Sequence, residues 1–497
     1  MKSEYTIKIN FKGGIISPGD LYNILVAAAK SKIDHARFGL RQQLFIDVGV
    51  DQLEDFSADL DKLGITYECN NDVFPNIISS YAAEEVFIKK NWLSEGVYKD
   101  IFDLIDYTPK LKINISDSNQ SFTPLLTGNI NWVASPASQH FWHLFIRFPK
   151  TNVVYEWKDL VYTNDVARMS KQIEELIFER KEQFYDNSNA NGNFLYTLIQ
   201  SEGYITKPLP EPLKLPVFNL PYYEGLNRYN DKFWLGIYRR DELFSTGFLK
   251  DLCLLCLQTK VGQICSTPWK SLIIKSIEEK DRQEWNNLLA RHQVNVRHAA
   301  NELNFQVEYN SSNGLDLKKY IVKHLSEDDI RTFGICIGIK TRKKSEVFGS
   351  ILVRKRPLLS LGKLKLFHVY DILCAKDFNP NERTGLVFSK GNPKILLPEQ
   401  LRRAILTFYT YNQLQISVSS KKADGKEAAV NNETAGYVYQ CKNCMSVYDE
   451  YFGEPDNEVE AGTLFNMLPA DYCCGTCEAA KQDFVQIEKK QLLLQAI

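Results

Sequence analysis

Residues 439–484 read YQCKNCMSVYDEYFGEPDNEVEAGTLFNMLPADYCCGTCEAAKQDF, and this stretch decides the fold at one end of the chain. It contains two Cys-x-x-Cys pairs, Cys441 with Cys444 and Cys474 with Cys477, separated by 29 residues. Each short loop turns back on itself and directs two thiolates and several backbone N–H groups at one point, which suits a tetrahedral metal ion. The spacing alone does not distinguish iron from structural zinc.

The residues around the cysteine pairs resemble those of rubredoxins. The shared segments are Val447-Tyr448-Asp449, Gly453-Glu454-Pro455, Ala461-Gly462-Thr463, Leu468-Pro469 and Asp471. Aromatic residues also fall where this family places its aromatic core, at Tyr439, Tyr448, Phe465, Tyr472 and Phe484. Such a core shields an iron–sulfur unit from water and helps to set its potential. The resemblance implies one Fe(2+/3+) ion on Cys441, Cys444, Cys474 and Cys477 that transfers single electrons.

Some positions depart from the rubredoxin pattern. Met445 and Glu478 follow the two cysteine pairs where rubredoxins commonly have glycine, Tyr472 replaces the usual tryptophan, and Gly475 replaces the usual proline. We expect these changes to alter the reduction potential and to leave the fold intact. Cys473 is expected to be a buried apolar residue and not a fifth ligand, because free cysteines are usually buried.

Upstream of this region the sequence repeats itself. Residues 15–46 align with residues 243–274 at a constant offset of 228 and without a gap. Each copy has a serine before a helical apolar pattern and then a β-rich run, and a strand with alternating apolar residues precedes each copy. The pattern predicts an α+β fold in which a ferredoxin-like half domain occurs twice about a pseudo-twofold axis.

The repeated unit resembles the half domains of sirohaem nitrite and sulfite reductases. The resemblance rests on residues 14–21, on 36–43 with Arg37 and Arg41, on 109–116 and on 129–134. In that family arginines at these places hold anionic substrate or haem carboxylates, so the resemblance implies anion binding by Arg37 and Arg41. A guanidinium pairs bidentately with oxyanions. The alternative is an ordinary ion pair, because the second copy has Cys265 and Trp269 instead.

The cysteine pattern departs from that reductase family. The family holds a 4Fe–4S cluster and sirohaem with C-x5-C and C-x3-C, whereas residues 300–420 contain only Cys336 and Cys374. We therefore expect neither the cluster nor sirohaem. Cys253 and Cys256 lie on an apolar helical pattern and are expected in the core.

Composition limits the partners. The chain of 497 residues has a net charge of −1, which argues against nucleic-acid and membrane partners, and no stretch is apolar enough to span a bilayer. The first residues are typical of a strand and not of a signal peptide, so we expect a cytoplasmic protein.

Residues 437–490 carry ten acidic residues and four lysines, a net charge of −6, and so the rest of the chain carries +5. This asymmetry favours docking to a basic surface, and the basic runs at 340–344 and 354–356 are candidates.

These observations predict two reductase-like lobes, a linker and a rubredoxin domain, at residues 1–220, 221–420, 421–436 and 437–490. The predicted function is electron transfer, with the body docking a redox partner such as a nitrate or nitrite reductase. Two alternatives remain at this point. The body binds a tetrapyrrole and reduces an oxyanion with rubredoxin electrons, or the cysteines hold zinc in a scaffold without redox function.

Overall fold

The structure is a computed structural model that describes residues 4–88, 92–151, 153–199, 203–342, 346–361, 364–382, 385–423, 437–444, 446–450, 452–454, 457, 459–475 and 477–488. It divides into two compact units, Met1–Gln413 and Leu414–Ile497. The lobe boundaries at residues 220 and 420 stay predictions. Of the predicted linker, residues 421–423 end a helix and residues 424–436 lie outside the described residues.

The first half domain lies at the start of the chain. Its elements are β1 Glu4–Ile9, β2 Ile15–Ile16, α1 Pro18–Lys30, β3 His35–Phe38, β4 Leu44–Gly49, α2 Leu53–Lys62 and β5 Glu68–Cys69. Strand β1 pairs with β4 in the antiparallel sense, with Ile7 opposite Ile46. The apolar residues of these strands alternate because one face of the sheet packs on the helices.

A second sheet follows the first half domain. Its elements are β6 Ile78–Ser79, α3 Glu95–Leu104, β7 Ile113–Ser116, β8 Ile130–Ala134, β9 Phe141–Arg147, β10 Val154–Glu156, β11 Asp159–Tyr162, α4 Val166–Glu179, α5 Lys181–Phe184, α6 Gly192–Ile199 and β12 Thr206–Pro208. The strand order is β12-β11-β9-β8-β7-β6, and β6, β7 and β8 are parallel. Strands β7 and β8 are buried along their whole length, as is typical of parallel strands, and their polar residues Asn114, Ser116 and Asn131 are buried with them.

The second half domain repeats the first. It comprises β13 Gly225–Tyr229, β14 Lys232–Ile237, β15 Phe244–Ser245, α7 Thr246–Gln258, β16 Ile264–Ser266, β17 Leu272–Ile277 and α8 Arg282–Arg291. Helices α1 and α7 begin and end at the predicted offset of 228 residues. Ser17 and Ser245 cap these helices, accepting hydrogen bonds from the backbone N–H groups of Asp20 and Phe248. Each cap contributes about 1 kcal/mol.

The two half domains exchange strands. Strand β15 of the second half pairs with β3 of the first, with Phe244 opposite Ala36. Reciprocally, β2 of the first half pairs with β16 of the second, with Ile16 opposite Ile264. A reciprocal exchange is what a twofold axis between the halves requires, and helices α1 and α7 contribute to one shared core. This core contains Leu21, Ile24, Leu25, Ala28, Leu249, Leu252, Cys253 and Cys256. The prediction that Cys253 and Cys256 are core residues is confirmed.

Gln42 ties this pair of half domains to the second sheet. Its side chain is fully buried and donates to the carbonyl groups of Ser79 and Ser266, at 3.1 and 2.9 Å. Its Oε1 accepts from the Ser79 N–H at 2.8 Å. The backbone of Gln42 has a φ of 63°, in the left-handed region. These hydrogen bonds compensate for burial of the amide.

The remainder of the larger unit is a third sheet with its helices. Its elements are α9 Ala300–Leu303, β18 Phe305–Val307, α10 Ser312–Glu327, β19 Ile337–Lys340, β20 Ile351–Leu361, β21 Leu364–Ala375, β22 Gly385–Asn392 and α11 Leu397–Ala423, whose last ten residues belong to the smaller unit. Strands β18, β19 and β20 are parallel, and β21 and β22 continue the sheet in the antiparallel sense. Helices α10 and α11 contribute apolar residues to its core, including Leu317, Ile321, Leu401 and Ile405.

The smaller unit contains a three-stranded sheet. Its strands are β23 Tyr437–Cys441, β24 Val447–Tyr448 and β25 Phe484–Glu488, in the order β24-β23-β25. Both pairings are antiparallel, with Tyr439 opposite Tyr448 and Cys441 opposite Phe484. In the described part of the chain, no helix combines the length and apolarity needed to cross a membrane.

Candidate metal centre

Two tight loops of the smaller unit present the cysteines. Cys441 is the last residue of β23, and its N–H donates to the carbonyl oxygen of Ser446 at 2.8 Å, which closes the first loop. In the second loop the N–H of Cys474 donates to the carbonyl of Ala479 at 2.8 Å. Glu478 has a φ of 58°, a conformation that costs a residue with a Cβ about 1 kcal/mol and that glycine adopts freely. Met445 lies outside the described residues.

The four sulfur atoms converge on one point. All of them lie within 4.8 Å of one another, with Cys441 to Cys477 at 3.6 Å and Cys444 to Cys474 at 3.5 Å. Four thiolates held tetrahedrally at about 2.3 Å from one ion are separated by about 3.8 Å. The donor set therefore fits a single tetrahedral metal ion. Among the described residues no other group of three or more histidines, cysteines or carboxylates is arranged to hold a metal.

Electrostatics at the site reflect this crowding of sulfur. The backbone hydrogen bond from Ala479 lowers the pKa of Cys477, but the sulfur of Cys444, desolvation and the sulfurs of Cys441 and Cys474 outweigh it and raise the pKa to about 12. Hydrogen bonds from the Ser446 hydroxyl and backbone lower the pKa of Cys444. A cation at the centre removes the repulsion between thiolates and favours the deprotonated ligands.

Aromatic rings pack beside the sulfurs. Phe465 stacks on Tyr439 with ring centroids 4.0 Å apart, and its ring lies 5.4 Å from that of Phe484. Tyr472 donates from its hydroxyl to the carboxylate of Glu454 at 2.5 Å, and Tyr448 donates to the carbonyl of Thr463 at 2.8 Å. The predicted aromatic core is confirmed. It excludes water from one side of the sulfur cluster and lowers the local dielectric constant.

Comparison with known proteins identifies this unit. The family model described as Rubredoxin matches residues 438–484. Through this domain the chain belongs to the rubredoxin family. Rubredoxin 4 of Rhodococcus sp. (strain Q15) is 43% identical over 51 residues, which are 10% of this chain and 85% of that protein. The rubredoxin of Megasphaera elsdenii is 48% identical over 50 residues, or 10% of this chain and 94% of that protein. The chain therefore carries a four-cysteine rubredoxin domain for electron transfer.

The larger unit has its own structural relative. The NirA protein of Mycobacterium tuberculosis superposes with a TM-score of 0.63 and 15% sequence identity, covering 83% of this chain and 84% of that one. At this identity the match establishes the fold alone. The predicted α+β fold of the body is thereby confirmed as a fold shared with NirA.

The body contains a basic cavity of about 710 Å³. Seven cationic and three acidic side chains line it, namely Arg41, Lys110, Lys112, Arg147, Lys150, Lys340 and Arg342 with Asp72, Glu308 and Glu346. Lys112 pairs with Glu346 across this space. Burial, followed by the charge of Arg41, lowers the pKa of Lys112 to about 8. The cavity thus holds an excess of partly desolvated positive charge.

The two arginines predicted to bind anions lie in different environments. Arg41 is buried at the cavity wall, where it donates to the carbonyl groups of Asn76 and Ile113, and burial lowers its pKa to about 10. Arg37 is not among the residues that line the cavity. It forms an ion pair with Asp47 and lies over the ring of Tyr309. Anion binding by either residue stays a prediction.

The remaining cysteines also have defined places. Cys336 and Cys374 are buried, and burial raises the pKa of each to about 12. Both have the environment of core residues rather than of reactive thiols. The expectation that Cys473 is buried is wrong, because its side chain is exposed beside the buried Cys474. Adjacent side chains of an extended backbone point to opposite sides, and here the side chain of Cys474 points to the interior while that of Cys473 points to solvent.

Sequence reasoning missed two features of these sites. Arg147 and Lys150 line the basic cavity, but Arg147 is the last residue of β9, Lys150 follows that strand, and neither belongs to a recognisable motif. Ser446 lies within hydrogen-bonding distance of two ligand sulfurs. Its position two residues after Cys444 was the available signal, since loops after a ligand pair often donate to sulfur.

Proposed function

We propose that this chain is a one-electron carrier in which the body is a cluster-less scaffold that docks a redox partner. The observation that carries the proposal is the set of four sulfurs within 4.8 Å inside a rubredoxin domain. Iron on four thiolates keeps the same ligands in both oxidation states, so little reorganisation accompanies electron transfer. Cys441, Cys444, Cys474 and Cys477 would hold the ion.

The environment of the other cysteines supports the scaffold role of the body. Cys336 and Cys374 are buried with raised pKa values, and neither belongs to a group of ligands among the described residues. The fold shared with NirA supports a place in nitrate or nitrite assimilation. The net charge of −6 over residues 437–490 suits a partner with a basic surface.

Stepwise anaerobic reduction of the full-length protein tests this proposal. We expect the visible absorption to bleach with one electron per chain and to return on oxidation. With reduced methyl viologen as donor, we expect no consumption of nitrite or sulfite. Catalytic turnover of either anion would contradict the role as a carrier alone.

The basic cavity favours a second candidate function. In this candidate the body binds an anionic tetrapyrrole and reduces an oxyanion with electrons from the rubredoxin. A carboxylate-bearing macrocycle needs several cations around one space, and Lys110, Lys112 and Arg342 line such a space.

This second function has a direct optical test. Replacing Cys441 and Cys444 together by serine removes the rubredoxin chromophore and leaves the body. When this variant is produced in cells that synthesise sirohaem, a Soret band would establish a tetrapyrrole in the body. Lys112→Glu should then abolish the band, and Lys99→Glu on the exposed face of α3 should not. A colourless variant would eliminate this function.

A further inference from the structure

A serine hydroxyl lies within hydrogen-bonding distance of the sulfur cluster. Ser446 follows Cys444 by two residues and precedes β24. Its Oγ lies 3.1 Å from Cys444 Sγ and 2.9 Å from Cys474 Sγ. The hydroxyl therefore bridges one sulfur from each cysteine pair.

The backbone holds Ser446 in this position. Its carbonyl oxygen accepts the N–H of Cys441 at 2.8 Å, in the hydrogen bond that closes the first cysteine loop. The next residue, Val447, pairs with Gln440 of β23. The side chain is half-buried, so water competes only partly for the hydroxyl. Its short side chain has a single rotatable bond that carries the oxygen, so little entropy is lost in fixing the contact.

We propose that Ser446 is a positioning residue that raises the reduction potential of the rubredoxin centre, an inference that rests on the proposed electron-transfer function. A hydroxyl carries one proton and donates it to one sulfur at a time. One-electron reduction adds one negative charge to the site, and this charge is shared with the sulfurs. A donated hydrogen bond is stronger to the more negative form, so it favours the reduced state.

The expected size of the effect follows from the hydrogen bond. Loss of the hydroxyl should lower the ratio of reduced to oxidised protein about tenfold at a fixed ambient potential. For a one-electron couple a tenfold change equals 59 mV. The sulfur lone pairs also lose stabilisation, so the sulfur-to-iron charge-transfer absorption should move to longer wavelength.

Redox titration of the full-length protein, followed by visible absorption, tests the inference. Ser446→Ala should lower the midpoint potential by about 59 mV, the tenfold change given above. Ser446→Thr keeps the hydroxyl and should retain the wild-type potential, whereas Ser446→Val has the same shape as threonine and should behave like alanine. Thr463→Ala is the control, because Thr463 Oγ1 donates to the Glu460 carbonyl at 2.7 Å and not to sulfur.

The outcomes separate this inference from the proposed function. If wild-type protein titrates reversibly and the alanine variant has the same potential and absorption, Ser446 has no such role. If alanine weakens iron retention, the threonine and valine variants decide the question, and equal potentials for these two overturn the inference. Wild-type protein without a reversible iron couple overturns the proposed function and this inference with it.

Discussion

Truncation of Phe465 to alanine should destabilise the rubredoxin domain and accelerate loss of its metal. Phe465 is half-buried, stacks on Tyr439 at 4.0 Å, and has further ring contacts with Tyr448, Tyr472 and Phe484. A fully buried phenylalanine loses about 3–5 kcal/mol on truncation, so partial burial reduces the loss to about 2 kcal/mol. The stacked pair adds about 1 kcal/mol.

A total of about 3 kcal/mol corresponds to an increase of about 100-fold in the equilibrium constant for local opening. A domain of this size has a marginal core, so this loss is a large share of its stability without metal. When opening and closing are fast, metal release follows the population of the open state. We therefore expect iron transfer to an excess of chelator to be about 100-fold faster in Phe465→Ala.

The assay is bleaching of the visible band of the full-length protein in the presence of the chelator. Phe452→Ala is the matched control, because Phe452 is in the same domain and is 60% exposed. Phe465→Leu should be intermediate, because it restores most of the volume and none of the stacking. Equal release rates for wild type and Phe465→Ala, or equal acceleration in Phe452→Ala, would show that the Phe465 ring does not hold the metal site closed.

Three further substitutions test the body. Gln42→Ala removes the partner of the buried Ser79 N–H and of two carbonyl groups, so denaturant titration should give a free energy of unfolding lower by about 3 kcal/mol. Gly236→Ala places a Cβ 2.1 Å from the carbonyl oxygen of Tyr223, and a backbone atom cannot move aside as a side chain can. Calorimetry should therefore show a melting temperature lower by several degrees. His143 is buried and its pKa is lowered to about 4 by burial, so between pH 6.5 and pH 4 the unfolded state binds the additional proton. The wild-type protein therefore loses stability as the pH falls, because folding keeps His143 neutral. The difference in unfolding free energy between wild type and His143→Gln should change by about 3 kcal/mol between pH 7 and pH 4.

The repeat predicted the fold of the half domains well. Helices α1 and α7 and their serine caps lie at the predicted offset, because capping and apolar periodicity are local properties of the sequence. The exchange of β2 and β15 between the halves was not predicted. These strands have two residues each, and their partners are more than 200 residues away, so no local pattern identifies them.

The metal ligands could also be predicted from the sequence, because their arrangement is a local property. Each cysteine pair is closed by a loop of a few residues, so spacing alone places two sulfurs together, and the aromatic pattern between the pairs indicates the family. The basic cavity could be predicted only in part from the sequence. Arg41, Lys112 and Arg342 come from separate segments, and only the packing of the sheets brings them to one space. The exposure of Cys473 depends on which of two adjacent cysteines turns inward, and composition does not decide that.

Metal analysis of the full-length protein, made with both iron and zinc available, shows directly whether the four cysteines hold iron. We expect one iron per chain, a visible charge-transfer spectrum and reversible one-electron reduction, all of which are lost when Cys474 is replaced by serine. One zinc per chain with no iron and no visible absorption would contradict this expectation.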